Sequence, residues 1–333
     1  MTNFLRFLGC CLMLTAVSAA AGDKRQRVIL FPKLSVGQII RYQVGWRETT
    51  STHTESSVAA PMAPAGGQTD SALIFQVEVE DLRSQAGQFE ARLRTRIIEP
   101  NAAPLSAIEA PNSVPGNSSK NTKSLDKSSQ SGKLVELTLH GDGQVTDVQG
   151  LGKLSPGELT AWREWIERFA DGAAFPEKGV KPGEKWKREE PIANSSLAGL
   201  SWEKDSEYVT DAPCAAMRLT PQGDPAAAPQ PQETCAVILT NAVLKQKSSP
   251  KNATPEDYKL HDLRNTGVAN GKNQIISYFS LETGLLVRST EDADQSMNLT
   301  VATADGSNRV HYTMKAESHA RVQLLADPPG AHP

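Results

Sequence analysis

From about residue 35 onward, apolar and polar side chains trade places at every step, which is the period of a strand with one buried face. Ile40, Tyr42, Val44 and Trp46 fall on one side, Arg41 and Gln43 on the other. Leu73, Phe75, Val77 and Val79 repeat the pattern, and so do Phe89, Ala91, Leu93, Thr95 and Ile97. The polar stretch 84–88 reads as the turn between them. Folding this pair about Ala86 sets Glu80 opposite Arg92 and Glu78 opposite Arg94, so apolar period and charge pairing select the same register. Val135, Leu137 and Leu139 then lead into Gly141, Asp142 and Gly143, and Val145 and Val148 return.

The second half is strand-like again over 200–211, 214–220 and 235–247. Residues 248–272 read as a polar connection with a short helix near 255–263. Ile275, Ser277, Phe279 and Leu281 run to a turn at Thr283 and Gly284, and 285–290 leaves it. Glu291, Asp292 and Asp294 then read as a hydrophilic bend before a further strand over 297–304. Asp305-Gly306 is the strongest two-residue hairpin signal in the chain. It places Val301 opposite Val310, Leu299 opposite Tyr312 and Met297 opposite Met314, all on one face, with the last strand running to about Leu324.

One helix interrupts this pattern. Ser155, Pro156, Gly157 and Glu158 match a capping box with proline at the first helical position. Leu159, Trp162, Ile166 and Phe169 recur at helical spacing as an apolar stripe, with Trp165 at its edge. Glu164 and Arg168 form an i, i+4 pair on the opposite side. Such a stripe serves a helix packed on a sheet or a mobile lid over an apolar groove, because either role buries the same face.

Two segments rich in Ser, Thr, Pro, Ala, Asn and Lys, 49–71 and 100–132, lack an apolar period and read as flexible insertions. The expected layout is a leader over 1–21, a first β half over 22–150, a helix and linker over 151–179, a second β half over 180–325 and a loose tail over 326–333. Val36-Gly37-Gln38 and Pro182-Gly183-Glu184 each open a strand, and the hairpins at Gly143 and Gly284 are alike, which points to two related halves. The expected fold class is mainly β (α+β). It is a large curved antiparallel sheet or half-barrel with one prominent amphipathic helix and long disordered loops.

The N-terminus reads as an export signal. Arg6 precedes an apolar run over 7–17, and Ala19, Ala20 and Ala21 supply the small residues that a signal peptidase requires. Cleavage is expected after Ala21, with Ala19 as the alternative. The run is too short to cross a bilayer, which takes about 20 apolar residues, and no later run is long enough. Cys10 follows Phe7-Leu8-Gly9 in a loose lipobox but precedes most of the apolar run, so lipidation there would strand that run on the mature chain. The expected location is periplasmic or secreted. In such an oxidising compartment Cys214 and Cys235 are most simply one disulfide closing a Pro- and Ala-rich loop; zinc would need more ligands.

The formal charge of −3 changes by one unit when Arg6 leaves with the leader, and there is no basic stripe of the kind that binds nucleic acid. None of the six histidines lies in an HExxH helix, and no Gly-x-Ser-x-Gly elbow or P-loop is present. Glu291, Asp292 and Asp294 lack the spacing of a calcium loop. No catalytic residue, metal or cofactor is expected.

The run Ser277-Tyr278-Phe279-Ser280-Leu281-Glu282-Thr283-Gly284-Leu285-Leu286-Val287 resembles the strand-turn-strand of exported bacterial β-rich proteins of the lipoprotein-localisation-factor type (LolA-like, with related mycobacterial lipoproteins) and of related secreted domains. The glycine-led strand after Gly37 is similar to an opening strand that such domains often carry. The resemblance implies a strongly curved antiparallel sheet whose hollow is closed by helices, lined with apolar side chains and used to carry acyl chains. The chain departs from that pattern in its long insertions and its single firm helix. The first expectation is therefore a non-catalytic binding module that holds a lipid or other apolar small molecule against Leu159, Trp162, Trp165, Ile166 and Phe169. The alternatives are a structural component that pairs with an envelope protein through exposed strand edges, and a hydrolase with an unfamiliar site.

Overall fold

Eleven strands form one open antiparallel sheet. The computed structural model describes residues 27–57, 65–85, 88–98, 133–172, 174–192, 195–217 and 232–326. The expected leader, Cys10, and the insertion 100–132 lie outside these residues. The strands are β1 (Ile39–Ser56), β2 (Ala65–Gln85), β3 (Gln88–Ile98), β4 (Leu134–His140), β5 (Val145–Gln149), β6 (Lys185–Pro191), β7 (Leu200–Cys214), β8 (Glu233–Gln246), β9 (Leu263–Ser280), β10 (Leu286–Thr303) and β11 (Arg309–Leu325). Helix α1 (Pro156–Asp171) links β5 to β6, and the single turn α2 (Glu256–Lys259) lies between β8 and β9. The spatial order is β5-β4-β3-β2-β1-β11-β10-β9-β8-β7-β6. First and last strands thus meet in the middle, paired from Arg41↔Leu325 to Ser56↔Val310.

The alternating positions build the core as their period requires. Ile40, Tyr42, Val44, Trp46, Leu73, Phe75, Val77, Val79, Leu93, Leu137 and Leu139 are all buried on one face. A flat sheet of eleven strands would be about 48 Å wide at ~4.8 Å spacing, and a helix of 16 residues is only about 24 Å long. Yet one buried cluster draws side chains from β1–β4, α1 and β7–β11. The sheet therefore curls around the helix, as the twist of wide antiparallel sheets favours.

Hairpin registers read from charge and period hold closely. Glu78 faces Arg94 as expected, but a bulge between Val79 and Asp81 sets Asp81 opposite Arg92. Glu80 is the extra residue and still reaches Arg92 at 3.3 Å. At the Asp305 turn all three expected pairs form. Their apolar face joins a second cluster, in which Leu299, Met297, Val301 and Tyr312 pack with Leu197, Leu200, Leu244, Ala253 and Ala269. Cys214 and Cys235 are disulfide-bonded with Cα atoms 5.9 Å apart.

Several expectations are corrected. Most of 49–71 is not a loop: β1 runs on to Ser56 and β2 begins at Ala65, paired from Thr49↔Gln68 to Thr52↔Ala65. No alternation marks this stretch because its side chains on both faces are largely polar or small, while its threonines suit a strand well. Residues 263–272 belong to β9, and Glu291–Asp294 lie inside the continuous strand β10 instead of at a bend. Strand β7 ends at Cys214, and beyond it Met217 makes only an isolated bridge to Leu325.

The strand openings at Gly37 and Gly183 match in backbone detail. The Gly37 N–H donates to Val79 O at 2.8 Å, the Val79 N–H to Gln38 O at 3.0 Å, and the Gln38 side chain accepts from the Ser35 N–H at 3.0 Å. In the second half Gly183 donates to Tyr208 O at 2.6 Å, Tyr208 to Glu184 O at 3.0 Å, and the Glu184 side chain accepts from the Lys181 N–H at 3.2 Å. Bulges follow directly after Val79 and after Tyr208. Both glycines have φ near +80° (80° and 83°), a conformation that side-chain-bearing residues rarely adopt. At the sheet edges β5 is short, and β6 carries Lys185, Lys187 and Pro191, residues that discourage further strand pairing.

Candidate functional site

Helix α1 lies across the strands on the covered face. Its capping box is complete: Ser155 Oγ accepts from the Glu158 N–H at 3.4 Å, and the Glu158 carboxylate accepts from the Ser155 N–H at 2.5 Å. Glu158 is fully buried and also accepts from Lys133 Nζ at 2.6 Å, just before β4. Burial alone would raise its pKa, but the Lys133 ammonium and the Ser155 donors hold it below the ordinary carboxylate range. The far end of the helix reaches β6 and β7, where Asp171 accepts from Arg188 at 2.8 Å.

Of the expected lining residues, Trp162, Trp165, Ile166 and Phe169 are buried and Leu159 is partly so. Trp165 is not at the edge. It is 0 % exposed and central, with ring centroids 5.2 Å from Phe169, 6.1 Å from Phe75, 6.3 Å from Tyr42 and 6.4 Å from Trp162. The curled sheet embraces a wider arc of the helix than a flat one would. Within this aromatic seam Tyr42 Oη, Trp162 Nε1 and Trp165 Nε1 are buried with no hydrogen-bond partner among the described residues. Burial pushes the Tyr42 pKa well up, so its phenol stays a neutral O–H.

Towards β6–β10 the covered face turns polar. Arg168, expected on the solvent side with Glu164, is instead buried and pairs with Glu291 of β10. Glu164, Glu167 and Asp171 approach the same guanidinium at 3.8 to 3.9 Å. Asn273 donates to Glu291. Burial pushes the Glu164 carboxyl up, and Arg168 opposes the shift without cancelling it. Arg188 and Lys204 face each other across β6 and β7. Asp171 lies 2.8 Å from Arg188 and 3.9 Å from Lys204, and Glu190 lies 3.3 Å and 2.6 Å from the same two. Burial would raise Glu190, but Lys204 and Arg188 hold it below its ordinary range. Ser206 and Thr240 share a hydrogen bond of 2.8 Å, and Ser277 and Ser289 one of 2.9 Å. A cavity of about 30 Å³ adjoins this corner between Asp171, Arg188, Lys204, Trp186, Phe175 and Phe279. That is room for about one water molecule.

Arg168 and Glu291 lie more than a hundred residues apart in the chain, and sequence pattern gave no sign that they converge. The one available signal was a basic residue beside an apolar stripe. A second cavity, of about 250 Å³, is lined by Asp81, Arg83, Arg92 and Glu136, which already pair with one another at 2.8 to 3.1 Å. His53, His311 and His319 lie on the opposite face, and among the described residues no group of His, Cys, Asp or Glu is arranged to hold a metal.

No family model matches the chain, and no curated protein matches it. Two solved structures align over most of its length. One is a "putative lipoprotein" from Parabacteroides distasonis, at 7% identity and a TM-score of 0.27, covering 87% of this chain and 98% of the other. The second is a "putative exported protein with YmcC-like fold" from Bacteroides fragilis, at 9% identity and a TM-score of 0.25, covering 86% and 97%. At such scores the likeness carries no inference, and function has to be argued from this chain's own residues.

Proposed function

We propose that this chain is an exported, non-catalytic envelope protein that holds an apolar ligand on the covered face of its sheet, with α1 as a displaceable cover. The observation that carries the reading is the aromatic seam, where Tyr42, Trp162 and Trp165 each hold a buried donor with no hydrogen-bond partner among the described residues. Each such group costs about 1–3 kcal/mol. A helix serving only to fill a core gains nothing from them, whereas a ligand lodged between sheet and lifted helix can offer an acceptor to Tyr42 from below and to Trp162 or Trp165 from above. The leader at 1–21 supports export, and the LolA-like strand-turn-strand supports carriage of an acyl chain. Strand pairing with an envelope partner has less support, because both sheet edges are short and β6 is charged.

The test is direct. Protein purified from its own host without detergent is expected to carry a lipid-sized adduct in native mass spectrometry. Stripped protein is expected to shift its tryptophan emission on titration with oleate or methyl oleate. No adduct and no shift with either probe would sink the reading.

A further inference from the structure

We infer that Arg188 and Lys204 form a site for the anionic head of an amphiphile, which Asp171 occupies when α1 is down. The inference rests on the reading above and adds the charge of the ligand. Helix α1 itself has the form of such a molecule. Trp162, Trp165, Ile166 and Phe169 join the sheet's apolar cluster, Trp165 and Phe169 lie against Tyr42 of β1 and Phe75 of β2, and Asp171, two residues beyond Phe169, places a carboxylate on the two cations.

The cations belong to the sheet. Arg188 and Lys204 are registered opposite each other on β6 and β7, so they stay together when the helix moves. The Lys204 side chain is only 9% exposed. With the helix down, two cations face two carboxylates, Asp171 and Glu190. With the helix lifted only Glu190 remains, and the wall gains one net positive charge.

Around that charge stand groups suited to a polar head at the end of a chain. Ser206 and Thr240 offer hydroxyls, and Phe175, Trp186 and Phe279 form an aromatic rim. Glu291, freed of Arg168, does not neutralise the site. It sits on β10, three strands from β7. Carboxylate and phosphate heads share the required chemistry.

Binding of oleate, hexadecyl phosphate and methyl oleate to stripped full-length protein tests this. Either anion is expected to bind about tenfold more tightly than the neutral ester, the scale of one charge-assisted hydrogen bond. The better anion identifies the head as carboxylate or phosphate. In R188Q/K204Q the ratio of anion to ester affinity should fall to about one. R188Q alone, at a partly exposed position, should move the ratio the same way if the double variant does not fold. D171N should tighten all three probes, because the cover then holds less firmly. Equal affinities for anions and ester in the wild type, or an undiminished preference in the variants, would overturn the assignment while leaving apolar carriage intact. Failure of all three probes to bind overturns both.

Discussion

Arg168 is the residue whose environment departs furthest from its sequence neighbourhood. Its spacing from Glu164 reads as an exposed helical pair, yet only 3% of its side chain is exposed and its partner is Glu291, on a strand more than a hundred residues later. A buried ion pair seldom stabilises much over an apolar pair, but removing one partner strands the other charge. Arg168→Met should therefore cost about 3–5 kcal/mol in urea denaturation. The double variant Arg168→Met/Glu291→Leu should recover most of that loss. Costs that simply add would show that the two side chains do not depend on each other. Pattern could not reveal the pair, since helical periodicity assigns a side but not what the sheet presents to that side.

At the scale of elements, α1 was legible in its start and misread in its reach. Its cap is local chemistry, so Ser155, Pro156 and Glu158 could be recognised from four consecutive residues. Ser155→Ala should cost about 1 kcal/mol. The carboxyl of Glu158 is held below the ordinary carboxylate range by Lys133 and Ser155. A lowered carboxylate contributes stability above its unfolded pKa and loses it as pH falls through the folded value. Melting temperature should therefore drop on acidification below about pH 4.5, and E158Q should be less stable at neutral pH with a shallower acid dependence. An unchanged acid limb in E158Q would refute the role of this carboxylate. Glu164 acts in the opposite sense. Its raised pKa makes its contribution greatest at low pH, and it fades as pH rises through the raised value. Among the strands, registers were legible wherever a turn signal and an apolar period coincided, as at Asp305-Gly306. They were not legible in 49–71, where polar side chains hide the strand and only the neighbouring strands supply its hydrogen bonds.

At the scale of the whole molecule, the two halves share one sheet and do not separate. Strand β1 pairs with β2 on one side and with β11 on the other along most of its length. Helix α1, between the halves in sequence, is buried against both. A fragment ending at residue 150 would expose the β11-facing edge of β1 and, lacking α1, would leave Tyr42 and Phe75 uncovered. Expressed alone, it should lack a cooperative thermal transition by circular dichroism, while the full chain shows a single one. A folded, cooperatively melting fragment would show that the first half is an independent domain.

Taken alone, the sequence determined the local choices: alternating strands, tight hairpins, a capped amphipathic helix, and a cysteine pair fit to bond. Each of these depends on residues within a turn or two, or on a simple count, so propensity and period suffice. Only the tertiary structure decided that the chain's ends meet in mid-sheet, that Arg168 is buried, and that Asp171 lands on Arg188 and Lys204. Those outcomes follow from closing one curled sheet around one helix, and that closure brings together side chains whose separation along the chain carries no information about their contact.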